Sequence, residues 1–190
     1  MIKIIGGKHK GRHIDTPYNI DTRPTSSRLR ESIFNILLHS EYLSNKIENI
    51  EVLDIFAGSG ALGLECLSRG FKHCTFLDNS SESINIINNN IIKLNEKNNT
   101  TVIKTDATKP IIIKRKCDLC FFDPPYDIQD ISLIIDKWNN IGIMKKDAIY
   151  VYEKHKKMHF NPIKSIEIVK TKQLGISEII ILKKLSSSTE

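Results

Sequence analysis

From residue 51 onward the chain alternates short apolar runs with amphipathic stretches, and this alternation restricts the fold more than any other feature. Val52–Ile55 reads as a strand, Ala61–Ser68 as a helix, His73–Leu77 as a strand and Ser81–Leu94 as a helix. Thr101–Lys104 and Asp118–Phe122 read as further strands, followed by a helix around Ile128–Trp138 and a strand at Ala148–Tyr152. Such alternation requires each strand's apolar faces to be covered by the helices between them, which is an α/β domain with a mostly parallel sheet. Two late strands are predicted near 164–170 and 176–183. No helix signal follows residue 173, so these two are expected as an antiparallel pair. In sheets of this kind ligands bind beyond the carboxyl ends of the strands, where strand order reverses. The residues directly after the strands are therefore the ones to read.

The first such place is Asp54-Ile55-Phe56-Ala57-Gly58-Ser59-Gly60-Ala61-Leu62-Gly63, which leaves a strand and opens a helix. Gly58 and Gly60 allow a tight turn and a close backbone approach to a ligand, and Gly63 lets the helix pack down on the sheet. Asp54 at the strand end would repel a pyrophosphate but suits an ammonium group, which turns the reading away from a dinucleotide. Asp78 closes the next strand, where a carboxylate can accept both hydroxyls of a ribose. Asp106 follows the third strand and can receive an adenine amino group, with the Ala107 N–H directed at the ring. Three successive strand ends thus serve a methionine moiety, a ribose and an adenine, which together describe S-adenosyl-L-methionine. The candidate cofactor residues are Asp54, Phe56, Ala57, Gly58, Ser59, Gly60, Asp78, Asn79, Asp106, Ala107 and Asp123.

After the fourth strand comes Asp123-Pro124-Pro125-Tyr126. Two prolines fix a rigid turn, but rigidity alone explains neither the acid before them nor the aromatic behind. The exocyclic amino group of a nucleobase is a poor nucleophile because its lone pair is delocalised into the ring. It attacks a methylsulfonium only if acceptors orient its hydrogens and favour pyramidalisation. Asp123 and the Pro124 carbonyl, stiffened by Pro125, can be those acceptors, and Tyr126 can stack on an extruded base. These four are the candidate catalytic residues. The expected chemistry is direct transfer through positioning and electrostatic stabilisation, with no metal and with S-adenosyl-L-homocysteine as product.

Charge identifies the acceptor class. Residues 1–30 hold Lys3, Lys8, Lys10, Arg12, Arg23, Arg28 and Arg30 against Asp15 and Asp21, which is five of the six net positive charges of the chain. A basic arm of this kind suits a polyanion. Lys8, Lys10, Arg12, Arg23, Thr25, Arg28 and Arg30 are the candidate RNA-binding residues. Ile2–Ile5 and Arg12–Thr16 around Gly6–Gly11 predict a hairpin; Thr25, Ser26 or Ser27 then caps a helix with Leu29, Ile33, Ile36 and Leu37 on one face. Cys66, Cys74, Cys117 and Cys120 are too few for a disulfide scaffold, and Cys117-x-x-Cys120 lacks a second pair, so buried small hydrophobes are expected. His155 and His159 lie among lysines with no carboxylate cluster. No apolar run approaches the roughly 18 to 20 residues that span a bilayer, and Met1–Gly7 looks like neither a signal nor a transit peptide. A cytoplasmic location is expected.

With these pieces together, the sequence resembles the RsmD family of bacterial 16S ribosomal RNA guanine-N2 methyltransferases over nearly its whole length. The resemblance rests on Ile4-Ile5-Gly6-Gly7 with Lys10-Gly11-Arg12, and on Thr22-Arg23-Pro24-Thr25 with Arg28, Arg30-Glu31 and Phe34. It continues through Asp54–Gly63, Asp123–Tyr126, Tyr150-Val151-Tyr152-Glu153 and Gly175. It implies a Rossmann-like class I methyltransferase fold with a seven-stranded, mostly parallel sheet, helices on both faces and a reversed final hairpin. It also implies a monomer acting on a guanine of 16S rRNA in the assembling small subunit, without a membrane partner. Members usually carry an aspartate where this chain has Ser27. Residues 1–45 are expected as a basic, RNA-contacting extension of the methyltransferase domain at 46–190, the two forming effectively one domain. The tetrad is shared with adenine-N6 methyltransferases of DNA and RNA, which is the main alternative. A non-catalytic RNA-binding module is disfavoured by the intact cofactor loop, and a small-molecule methyltransferase by the basic arm.

Overall fold

The computed structural model describes residues 1–17, 26–43, 46–125, 128 and 131–185. A two-stranded hairpin, β1 (Ile2–Lys3) and β2 (His13–Ile14), precedes α1 (Ser27–Leu38). There follow β3 (Glu51–Asp54), α2 (Ala61–Ser68), β4 (His73–Asp78), α3 (Ser81–Leu94), β5 (Thr100–Lys104), β6 (Cys117–Phe122), α4 (Ile131–Asn140), β7 (Met144–His155), β8 (Ile166–Leu174) and β9 (Ser177–Lys184). Strands β3 to β9 form one seven-stranded sheet in the order β5-β4-β3-β6-β7-β9-β8. β5, β4, β3, β6 and β7 are parallel; β9 is antiparallel to both β7 and β8. This is the doubly wound fold with a reversed final hairpin that the sequence implies.

Adjacent strand residues point to opposite cores, which explains why the strands are continuously apolar. Val52, Phe76, Phe121 and Val151 pack with Leu29, Phe34, Leu62 and Ile87 from α1, α2 and α3. Leu53, Leu77, Phe122 and Tyr152 pack with Ile131, Ile135 and Trp138 from α4 on the other face. The hairpin belongs to the first core through Ile4 and Ile14. All four cysteines are free and buried, and burial drives the Cys117 thiol up to about 12, so they act as small hydrophobes. No helix among the described residues is long and apolar enough to cross a membrane.

Several boundaries differ from the sequence reading for identifiable reasons. The hairpin strands are two residues each because the chain turns at Gly6 and Gly7 to lie on the end of α2. At Gly7, with φ +72°, a Cβ would overlap the Ser68 carbonyl. β7 runs seven residues beyond the expected Ala148–Tyr152, starting at Met144 and passing Asp147 at φ +62° beside a register shift against β6. That irregularity and the flanking lysines hide the strand's true length in the sequence. The described part of α4 spans Ile131–Asn140, and before it the Ile128 N–H donates to the Pro125 carbonyl (3.2 Å).

Candidate active site

The carboxyl ends of β3, β4, β5, β6 and β7 open into a single cavity of about 890 Å³. Asp54, Phe56, Ala57, Gly58, Ser59, Asp78, Asn79, Asp106, Ala107, Asp123, Pro124 and Pro125 all line it. Of the candidate cofactor residues only Gly60 does not; it sits at the N-cap of α2 with φ +77°, a left-handed position that lets the loop enter the helix. A Cβ on Gly63 would overlap the Phe76 ring and the Cys74 sulfur, so only glycine lets α2 lie this close to β4.

Each acid on the β3–β5 side is held by nearby backbone. Asp54 is 1% exposed and accepts from the Gly63 N–H at 3.1 Å. Burial, with Asp123 and Asp78 nearby, pushes its carboxyl up to about 7. Asp78 accepts from the Gly58 N–H and the Ser80 N–H, each at 2.8 Å, and so ties the glycine loop to the start of α3. Asp106 is part exposed and accepts from the Thr108 N–H (2.9 Å) and hydroxyl (2.8 Å), which lowers its pKa. The Ala107 carbonyl accepts from the Trp138 indole at 2.8 Å, fixing that loop to α4.

The other side of the cavity is assembled from parts distant in the chain. Asp123, Pro124 and Pro125 leave β6, and Tyr152, Glu153 and Lys154 end β7. Leu174 to Ser177 turn between β8 and β9, and Ser26, Arg28 and Leu29 start α1. Tyr126 lies outside the described residues, as do Arg23 and Thr25. Glu153 is absent from the expected site residues although it directly follows the expected strand Ala148–Tyr152, because only the ends of the first four core strands are read for chemistry. The Tyr150-Val151-Tyr152-Glu153 and Gly175 pattern is its second signal.

The basic candidates separate into different environments. Arg28 is exposed and lines the cavity, and Lys10 is exposed on the hairpin. Lys8 pairs with Glu96 at 2.7 Å while remaining half exposed, and Arg12 donates to the Lys93 carbonyl, so both hold the hairpin to the end of α3. Arg30 corrects the sequence reading: it is 0% exposed and is out of reach of any RNA. Its guanidinium donates to the Lys3 carbonyl (2.9 Å) and the Ser27 hydroxyl (3.3 Å) and lies 3.8 Å from Glu65. Glu65, itself buried, also accepts from the Ile5 N–H and from Arg69, each at 2.9 Å. The capping residue of α1 is Ser26, which accepts from the Leu29 N–H; Ser27 serves Arg30 instead.

The chain is similar to known methyltransferases over most of its length. The family described as Conserved hypothetical protein 95 matches residues 2–183. The methylase RP545 of Rickettsia prowazekii is 32% identical, over 96% of this chain and 98% of its own length. Ribosomal RNA small subunit methyltransferase D of Escherichia coli K12 is 35% identical, over 80% of this chain and 74% of its own. Among solved structures, yhhF of Escherichia coli, a methyltransferase by designation, superimposes with a TM-score of 0.80 at 26% identity, covering 97% of this chain and 98% of that one.

Proposed function

Because this chain belongs to the RsmD family, we propose that it methylates the exocyclic N2 amino group of a guanine in 16S rRNA, using S-adenosyl-L-methionine, within the assembling small ribosomal subunit. The observation that carries the proposal is one cavity that joins three acidic strand ends to Asp123-Pro124-Pro125.

The residues present fit the cofactor. Asp54 is a buried carboxylate beside two further acids, and a cationic ammonium would relieve its unfavourable ionisation. Asp78 stands at a strand end, where its remaining lone pairs can accept a diol even while it holds two backbone N–H groups. Asp106 and the neighbouring Ala107 can meet the edge of an adenine. When bound, the cofactor supplies an electrophilic methyl group on a positively charged sulfur.

Asp123 then does the chemical work of the chain. It accepts a hydrogen of the guanine amino group, directs the nitrogen lone pair toward the cavity's cofactor side, and takes the proton that the amino group sheds. Pro124 and Pro125 keep its backbone from moving, so the acceptor is placed before the base arrives. Tyr126 is assigned the face of the base, and Arg28 at the cavity edge the phosphates around it. Lys10 on the hairpin, and Arg23 and Thr25 outside the described residues, are assigned further phosphates of the RNA.

The decisive experiment supplies labelled cofactor to small subunits, free rRNA and DNA in separate reactions and identifies the methylated nucleoside. N2-methylguanosine from the subunit is the expected product. N6-methyladenine from DNA would overturn the proposal.

A further inference from the structure

Asp123 and Glu153 are brought side by side although they lie far apart in the chain. β6 and β7 run parallel, with Phe121 opposite Val151 and Phe122 opposite Tyr152. The next step in the same register sets Asp123 against Glu153, so neighbouring strand ends carry two carboxylates on the same side of the sheet. Both residues line the cavity. Glu153 is half-buried, and the Ser177 hydroxyl at the start of β9 donates to its Oε1 at 3.1 Å. The ammonium of the adjacent Lys154, which also lines the cavity, is held by Glu178 and by the Met158 carbonyl (2.7 Å). In the strand order β5-β4-β3-β6-β7, Glu153 lies beyond Asp123 from the three acids of the cofactor side. That is where the rest of an acceptor base has to sit.

We infer that Glu153 is the specificity-determining residue for the acceptor base, its carboxylate accepting the N1–H of guanine while Asp123 accepts from the N2 amino group; this rests on the guanine-N2 reading above. The Watson–Crick edge of guanine presents two adjacent donors, N1–H and N2–H₂. Adenine and cytosine present an amino donor beside a ring nitrogen that is itself an acceptor. An ionised carboxylate only accepts. Two neighbouring carboxylates therefore match the paired donors of guanine. Against adenine or cytosine, the second one faces a lone pair in a desolvated site and leaves both groups unsatisfied. The Asp-Pro-Pro turn handles an amino group on any base, whereas Glu153 reads the nitrogen next to it.

The test uses the full-length protein and small subunits. Once the nucleotide labelled by the wild-type protein is mapped, subunits are rebuilt with 2-aminopurine at that position, a base that keeps the amino group but has no hydrogen on N1. The wild-type protein should prefer guanine by roughly 10²-fold or more in kcat/KM. Glu153→Gln can donate to an unprotonated N1. It should lose activity on guanine, gain on 2-aminopurine and shrink or reverse the preference, with cofactor affinity unchanged. Glu153→Asp, which keeps the charge, should retain the preference at a lower rate. Equal wild-type rates on the two bases, or a Gln variant with the wild-type preference, would overturn the role of Glu153 while leaving guanine as the target. Absence of N2-methylguanosine in the first wild-type reaction would overturn the guanine reading, and this inference with it.

Discussion

On the β3–β5 side of the cavity the three strand-end acids are held by backbone N–H groups: Asp54 by Gly63 and Asp106 by Thr108 in their own loops, Asp78 by Ser80 in its own loop and by Gly58 in the neighbouring one. On the β6–β7 side, the same cavity is closed by Asp123–Pro125, Glu153, the turn from Leu174 to Ser177, and the start of α1. The first half is set largely by local sequence, once each strand and its following turn form and β3 pairs with β4. The second half exists only after the sheet order and the hairpin packing are complete. A fixed cofactor can be met by the first design, while an acceptor that differs between enzymes calls for the second, whose loops vary without disturbing the core.

The sharpest way to break this comparison is to remove one acid from each half. Asp123→Ala should lower kcat by about 10³-fold or more, since it removes the acceptor that acts as the new bond forms. Cofactor affinity should stay near that of the wild-type protein. Asp78→Ala should do the reverse and raise the cofactor Kd by about 10- to 100-fold, since it removes a charged acceptor and frees the Gly58 loop. Calorimetric titration and single-turnover rates on both variants separate the two outcomes. A normal rate in Asp123→Ala, or an unchanged Kd in Asp78→Ala, would remove the division between the halves.

A smaller effect distinguishes Asp54 from the other acids. Its carboxyl is raised to about 7, first by burial and then by Asp123 and Asp78. The folded protein therefore holds this proton more tightly than the unfolded chain, whose aspartates titrate near 3.9. The sign follows: between about pH 4 and pH 7 the unfolded state binds fewer protons, so the stability that Asp54 contributes falls as pH rises. An ammonium ligand favours the ionised form, so cofactor binding should strengthen from about pH 6 to pH 7, by up to roughly tenfold, with proton release. Asp54→Asn should flatten that rise. A Kd for the wild-type protein that is constant across this range would sever Asp54 from the ammonium.

The same division separates what the sequence makes legible from what it hides. Asp54, Asp78 and Asp106 were legible because each directly follows a strand whose apolar run is clear, and the rule about carboxyl ends then applies. Asp123 was legible for the same reason. Glu153 follows the expected strand Ala148–Tyr152 in the same way, but nothing beside it in sequence marks a role, since its neighbours in the cavity, Asp123 and Ser177, come from distant segments. The hairpin's attachment was hidden as well: Gly6, Gly7 and His9 meet Ser68 and Glu96, contacts between segments that no local pattern connects.

The basic arm contains the last comparison and the smallest expected effect. Arg28 and Arg30 are two residues apart and look equivalent in a count of charges, yet on a helix that spacing sends them to opposite faces. Arg30 shares its face with Ile33, Phe34 and Leu37, all buried, a helical phase that a count of charges overlooks. Arg30→Ala should therefore act on folding. It removes the donor to the Lys3 carbonyl and a buried side chain beside Glu65, which keeps Arg69 and the Ile5 N–H, a loss of about 1–3 kcal/mol in denaturant unfolding. Arg28→Ala should leave the midpoint almost unchanged and act on RNA instead. Each phosphate contact contributes close to one unit to the slope of log affinity against log salt. Its removal should flatten that slope by up to about one and weaken binding several-fold at low salt. If Arg28→Ala alters stability while the salt slope stays fixed, the cavity edge is structural and the RNA follows another path.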